Sequence, residues 1–333
     1  MRFISDVSRA LFLLLYSVFL FHTVSLFFPT VSPLPSPALA RMTDPFASFA
    51  EAWDSWTASV AASIDGFFRS RNRANDEESR RQRASVTGII SERSAGLTAL
   101  PSYAHDADVA RRARVLDAGL NAIAALDERI GALVGLERAR LDGNRLERLP
   151  PAFCSLTRIR TLDLRGNVLR ELPKDIGSLC ELEELVVDDN ALECLPASLG
   201  SCSKLRRLSA SGNEMRSFDE GAAALGSCAE LEYISFARNK NMRGALPVSW
   251  SALKKLREVD VDETSVESVP SAILEHCVSL RTISARACVS FDVTAFKTTP
   301  GYDAYERRRR SKHTKQLDAR VLMDTSRFDE RLG

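Results

Sequence analysis

Between about residues 86 and 291 the apolar positions recur with a fixed spacing, and the polar residue that closes most cycles is asparagine. Asn121, Asn144, Asn167, Asn190 and Asn213 follow one another at steps of 23 residues, and Asn239 comes 26 residues later. Around them runs one pattern. Leu136, Ala139 and Leu141 precede Asn144, and Leu146 follows it; Ile159, Leu162, Leu164, Asn167 and Leu169 repeat the spacing, as do Leu182, Leu185, Val187, Asn190 and Leu192. The cycle continues less regularly through Ile234, Phe236 and Asn239, then through Val259 and Val261 with Thr264 in the asparagine slot, and through Ile283 and Ala285 with Cys288 there. An atypical first cycle, from Ile89 to Leu100, opens the series of about nine turns.

This spacing has one physical reading. Apolar residues at alternate positions define a short strand whose other residues face outward. Strands from successive turns stack in parallel, and each asparagine amide can serve backbone groups where the chain leaves the sheet. The prolines of Leu149-Pro150, Leu172-Pro173 and Leu195-Pro196 block further pairing and turn the chain to the opposite wall. The expected fold is therefore α/β: a leucine-rich-repeat solenoid, or horseshoe, of eight to nine turns with a concave parallel sheet. Asn121, Asn144, Asn167, Asn190, Asn213 and Asn239 would form its structural ladder.

The register also yields the outward strand positions, which are the expected partner-binding surface. They include Arg138, Arg140 and Asp142, then Asp163 and Arg165, Glu184 and Asp188, Arg207, Tyr233, and finally Glu258, Asp260 and Asp262. Basic residues gather early and acidic ones late. Arg and aromatic side chains are the usual anchors of interfaces, so Tyr233, Arg138, Arg140 and Arg165 are the first candidates. Asp260, Asp262 and Glu263 could in principle hold a hard cation, but such a site needs more converging oxygens, and a plain acidic patch with no metal is the expectation.

After Phe291 the repeats stop. Residues 292–333 read as a C-terminal cap and basic tail, in which the segment from Thr299-Pro300-Gly301-Tyr302-Asp303-Ala304-Tyr305-Glu306 through Arg307 to Arg310 and on to Asp318 is a helix after a turn, with Tyr302, Tyr305 and Leu317 as covering side chains. The arginine run is read either as a solvated helix face or as a basic surface for acidic partners. Repeats of the form Leu172-Pro173-Lys174-Asp175-Ile176-Gly177-Ser178-Leu179, together with this tail and the run from Lys315 to Leu322, resemble the leucine-rich repeat-containing protein 57 type and the plant intracellular Ras-group leucine-rich-repeat proteins. The resemblance implies an intracellular scaffold or adaptor in signalling, with no catalytic residues to carry over.

The N-terminal third carries separate signals. Residues 1–40 hold an apolar stretch, 11–28, flanked by Arg2 and Arg9 and ending near Ala38-Leu39-Ala40. It reads as a secretory signal, a membrane anchor, or a segment upstream of a true start at Met42. From Asp44, an aromatic-rich amphipathic helix is expected through Phe46, Phe49, Trp53, Trp56, Val60, Ile64 and Phe67, with a basic stretch, read as a solvated linker or a helix extension, completing residues 41–85.

Composition narrows the function. Lys and Arg number 45 against 44 Asp and Glu, so no overall field draws the chain to nucleic acid, and none is expected as a partner. The seven cysteines are odd in number and do not flank the array, which favours a reducing, cytoplasmic location. The four histidines are scattered, and no phosphate loop or cofactor motif is present. The sequence thus points to a non-catalytic scaffold that binds a protein partner, without a cofactor. The alternative is a secreted or membrane-anchored recognition module, which rests on residues 11–28.

Overall fold

Alternating apolar residues drive nine short strands into one sheet. A computed structural model describes residues 76–311. The chain divides into two compact units, Met1–Ser79 and Arg80–Gly333, and the repeats belong to the second. The apolar stretch 11–28, the aromatic stripe 46–67 and Leu317 lie outside the described residues. The strands are β1 (Ile89–Ser91), β2 (Val115–Asp117), β3 (Arg138–Arg140), β4 (Thr161–Asp163), β5 (Glu184–Val186), β6 (Arg207–Ser209), β7 (Tyr233–Ser235), β8 (Arg243–Ala245), β9 (Glu258–Asp260), β10 (Ser265–Ser268) and β11 (Thr282–Ser284). All except β8 and β10 join one sheet in chain order, and each pair is parallel. The chain is an α/β leucine-rich-repeat solenoid with few helices.

Each turn returns through an irregular segment and a short helix on the wall opposite the sheet, such as Pro151–Ser155 or Ala197–Ser201. Between the two walls lies one continuous core. Leu141, Leu164, Leu185 and Leu208 belong to it, each fully buried. Burying a leucine side chain contributes about 2 kcal/mol, and a stack of such layers is what orders three-residue strands that would not persist alone.

The ladder lies where the chain leaves the sheet. Asn167 Nδ2 donates to Leu141 O at 3.0 Å and Leu164 O at 2.8 Å, and its Oδ1 accepts from Leu146 N at 3.0 Å. Asn121, Asn144, Asn190, Asn213 and Asn239 make the same set, one turn on the preceding coil and one on their own. In the last two slots the side chains are shorter and serve fewer groups. Thr264 Oγ1 donates to Val261 O at 2.7 Å, and Cys288 Sγ donates to the same carbonyl at 2.9 Å.

Immediately before each slot stands a left-handed residue. Ser94, Leu120, Gly143, Gly166, Asp189, Gly212, Arg238, Glu263 and Ala287 have φ between 53° and 65°, one in every turn. Only three are glycine, so six side chains are held in a conformation that costs roughly 1–2 kcal/mol each. Sequence periodicity does not reveal this row, because the angle is imposed by the stack and not by local preference.

Both ends are closed by side chains. At the first turn Arg80 Nη1 donates to the buried Glu92 at 2.6 Å, and Arg81 Nε donates to Asp106 at 2.6 Å. These two arginines anchor the helical residues 80–87, in the stretch that the sequence pattern leaves open between a solvated linker and a helix extension. Tyr103 Oη also donates to Glu92. At the last turn residues 302–311 are helical. Tyr305 is buried, and its Oη accepts from Ile283 N at 3.0 Å. The arginine run there is mostly committed. Arg308 donates to Leu274 O at 2.7 Å and Leu280 O at 3.1 Å, while Arg309 and Arg310 pair with Glu306, whose carboxyl they pull down to about 2.

A second ladder has no signature in the repeat pattern. Strands β8 and β10 pair in parallel, and Ser217 bridges to Arg243, on the wall beside the longer turn. The added residues of that turn form the helix Glu220–Ala224, and Trp250 fills the wider space. Its ring stacks 6.1 Å from Phe236, and its Nε1 donates to Ala222 O at 2.8 Å.

Substitutions at the corner separate hydrogen bonding from strain. Asn167→Ala leaves the Leu146 amide without its acceptor and takes one of two asparagine donors from each of Leu141 O and Leu164 O, and should lower unfolding stability by on the order of 2 kcal/mol, measured by urea titration. In Gly166→Ala the new methyl group would find nothing nearer than 3.6 Å, so its cost isolates backbone strain. That cost should be about 1 kcal/mol. Gly143→Ala should cost about the same, since its methyl would meet only the end of the exposed Leu120 side chain, at 2.7 Å, which can swing aside.

Candidate functional site

The open face of the sheet presents three rows of outward side chains, set by the strand register. The first row holds Arg138, Thr161, Glu184, Arg207, Tyr233 and Glu258 side by side. Arg138 and Arg207 are exposed, and Glu184, Tyr233 and Glu258 are half-buried. The Arg207 guanidinium lies over the Tyr233 ring at 4.0 Å and pairs with Glu184 at 3.4 Å. A cation on an aromatic face, held by a carboxylate on its other side, forms a preorganised polar and aromatic projection.

The second row holds Asp117, Arg140, Asp163, Val186, Ser209, Ser235 and Asp260. The third, two residues further along each turn, holds Asp142, Arg165, Asp188, Ser211, Ala237 and Asp262. Many of these side chains serve the sheet itself. Arg93, from the first turn, donates to both oxygens of Asp142 at 3.0 and 2.7 Å, and also reaches Asp117 at 3.3 Å. Asp142 is consequently only 8% exposed and does not stand free on the face. Arg140 lies 3.8 Å from Asp117, and Arg165 folds back on Asp163 at 3.0 Å.

In the later turns the small outward residues form a trough tied by hydroxyl groups. Asp188 Oδ1 accepts from Ser209 Oγ at 2.7 Å and Ser211 N at 2.8 Å. Ser211 and Ser235 share a hydrogen bond of 2.8 Å, and Ser235 Oγ donates to Asp260 at 3.2 Å. Asp262 Oδ1 accepts from Ser284 Oγ at 2.7 Å and Arg286 N at 2.6 Å. Asp260 and Asp262 of the candidate cation site are therefore engaged with donors of the neighbouring turn, and among the described residues no three ligating side chains converge.

Along the N-terminal ends of the strands, charge alternates from turn to turn. Lys204 pairs with Glu181 at 2.6 Å, Lys255 with Glu230 at 2.6 Å and Arg257 with Glu232 at 2.9 Å. That rim is self-neutralised. The opposite wall carries the thiols: Cys202, Cys228 and Cys277 are buried, each Sγ donates to a carbonyl of the preceding turn, and burial pushes them up to about 12, 11 and 11. They are structural. A cleft of about 590 Å³ beside turns two to four has Leu126, Leu149, Pro150, Pro173 and Cys154 in its lining, and burial raises that thiol too.

The Arg93 and Asp142 pair makes a pH prediction. The hydrogen bond from Arg93 holds the Asp142 carboxyl below its ordinary range. The pairing therefore adds stability above the unfolded carboxylate value, and this is lost as pH falls through the depressed one. Arg93→Ala should lower stability at neutral pH and flatten the acid limb, as read from urea midpoints between pH ~2.5 and ~6.

A family model described as a leucine-rich repeat region matches residues 112–287. No curated protein matches the chain. Among solved structures, a leucine-rich-repeat protein of Leptospira interrogans is similar with a TM-score of 0.56 at 21% identity, over 68% of this chain and 60% of its own. The leucine-rich repeat domain of the type III effector XopL is similar with a TM-score of 0.56 at 20% identity, over 64% of this chain and 75% of its own. Both likenesses are of fold. The chain thus spans less than two thirds of the leptospiral protein. Among the described residues, no helix is long and apolar enough to cross a membrane.

Proposed function

The chain belongs to the leucine-rich repeat region family, and on that premise we propose that it is a scaffold or adaptor that holds a protein partner on the open face of its sheet. Domains of this fold are in general non-catalytic modules for protein interaction, and function resides in the face that each presents. The observation that carries the reading is the Glu184, Arg207 and Tyr233 row. It is the place where a cation, an aromatic ring and a carboxylate project together beside a hydroxyl-lined trough. Tyrosine and arginine are the residues that most often dominate binding energy. Arg138 adds an exposed cation on the same row.

An intracellular signalling role is part of the same reading. It is supported by the seven free thiols, several serving as buried donors, an arrangement suited to a reducing compartment. It is also supported by the resemblance of the repeats and tail to the plant intracellular Ras-group proteins.

A photo-crosslinking amino acid placed in turn at Arg138 and Tyr233, and on the opposite wall at Val248, tests the surface. The first two positions should give a shared adduct in cells, and Val248 should not. Adducts at Val248 alone would remove the assignment to the sheet face. With the adduct identified, Tyr233→Ala should weaken its binding by about tenfold or more, measured by calorimetry.

A further inference from the structure

The two ends of the open face carry surplus charge of opposite sign. In the early turns the cations stand outermost. Arg138 and Arg140 are exposed, while the carboxylates beside them are sheltered, Asp117 and Asp142 held by Arg93 and Asp163 by Arg165. Among the described residues Arg138 has no carboxylate within ion-pair distance. The late turns invert this arrangement. Asp188 and Asp260 accept hydrogen bonds from hydroxyl and amide groups, and among the described residues neither they nor Glu258 have a cation within ion-pair distance. Between the two ends the floor drops to Val186, Ser209, Ser211, Ser235 and Ala237, all buried. Arg207 on the Tyr233 ring forms one wall of this trough, and Arg238, paired with Asp189 at 2.9 Å, stands at the corner on the other side.

We infer that the partner enters as an extended segment with its charge in two blocks, laid across the strands, an inference that rests on the sheet face being the binding surface. Its carboxylates lie over Arg138 and Arg140, and its lysines or arginines lie over Glu258 and Asp260. The strands β3 and β9 are five steps apart in the sheet. At about 4.8 Å a step, about seven residues of extended chain span the two ends. Charge complementarity sets the orientation, because the opposite placement puts like charges together at both ends. The trough favours an extended chain over a helix. Its hydroxyl groups can serve peptide N–H and C=O groups, which a helix pairs within itself. Attraction of this kind is screened by salt, so the contact weakens as ionic strength rises.

Selection from a random phage-displayed library of peptides about 12 residues long, on the full chain, tests the charge pattern. The wild type should enrich sequences with one acidic and one basic block, their centres about seven residues apart. Selection on Arg138→Glu should lose the acidic block, and selection on Glu258→Lys the basic one. Neither residue is buried, and urea midpoints check that both variants fold. Arg138→Gln and Glu258→Gln repeat the test without reversing a charge. A peptide selected on the wild type should bind each reversed variant about tenfold more weakly, read by fluorescence polarisation. Enrichment of uncharged or single-sign sequences, or equal binding to the wild type and both reversed variants, overturns the inference and leaves the face itself to the crosslinks at Arg138 and Tyr233. A selection that enriches nothing overturns it as well. So does self-association of the chain that Glu258→Lys abolishes, read by analytical ultracentrifugation, since that outcome gives the face to a second copy.

Discussion

The solenoid depends on how the backbone leaves the sheet. At that corner the chain turns through a left-handed residue, and its peptide groups face the interior with no strand beside them. Buried amides and carbonyls without partners would each cost about 1–3 kcal/mol, repeated in every turn. The asparagine next in the chain answers the need with three or four hydrogen bonds from one side chain, to its own turn and to the one before. Strand length, the parallel register and the outward rows are all consequences of that corner. The weaker substitutes at Thr264 and Cys288 fall where the core also begins to open.

A repeating stack has two ends that its own rule cannot finish, and the chain closes them differently. At the first turn a buried carboxylate, Glu92, is ion-paired with Arg80 and accepts a hydrogen bond from Tyr103. At the last, aromatic rings do most of the covering, with Phe296 against Phe291, Tyr302 and Tyr305 at 5.2 to 6.0 Å. Arg308 supplies donors to carbonyls at that end, which makes one member of a basic run a cap and not a surface charge.

What was legible in the sequence was what repeats. Leu141, Leu164 and Leu185 stand at constant spacing because every turn solves the same packing problem, and the sheet results from them. Contacts made once leave no period. Arg93 reaches Asp142 across 49 residues, and nothing near either residue announces the pair. Ser209 and Ser235 occupy outward positions, yet they are nearly buried, their hydroxyls donated to Asp188 and Asp260 of the neighbouring turns. The β8 and β10 ladder arises from extra residues in one turn, whose effect depends on where the wall has room. The face as a whole could be drawn from the register. Which of its side chains serve the sheet could not.

The alternating rim carries a consequence for how such a chain can change length. Turns bearing Glu181, Lys204, Glu230 and Lys255 pair acid to base in sequence, each across one step of the stack. Individual exposed pairs are worth less than about 1 kcal/mol, but like charges side by side are unfavourable by a similar amount. Loss or duplication of a single unit there would set two carboxylates or two ammonium groups against each other. Removal or insertion of units in twos preserves the polarity along this stretch of the rim.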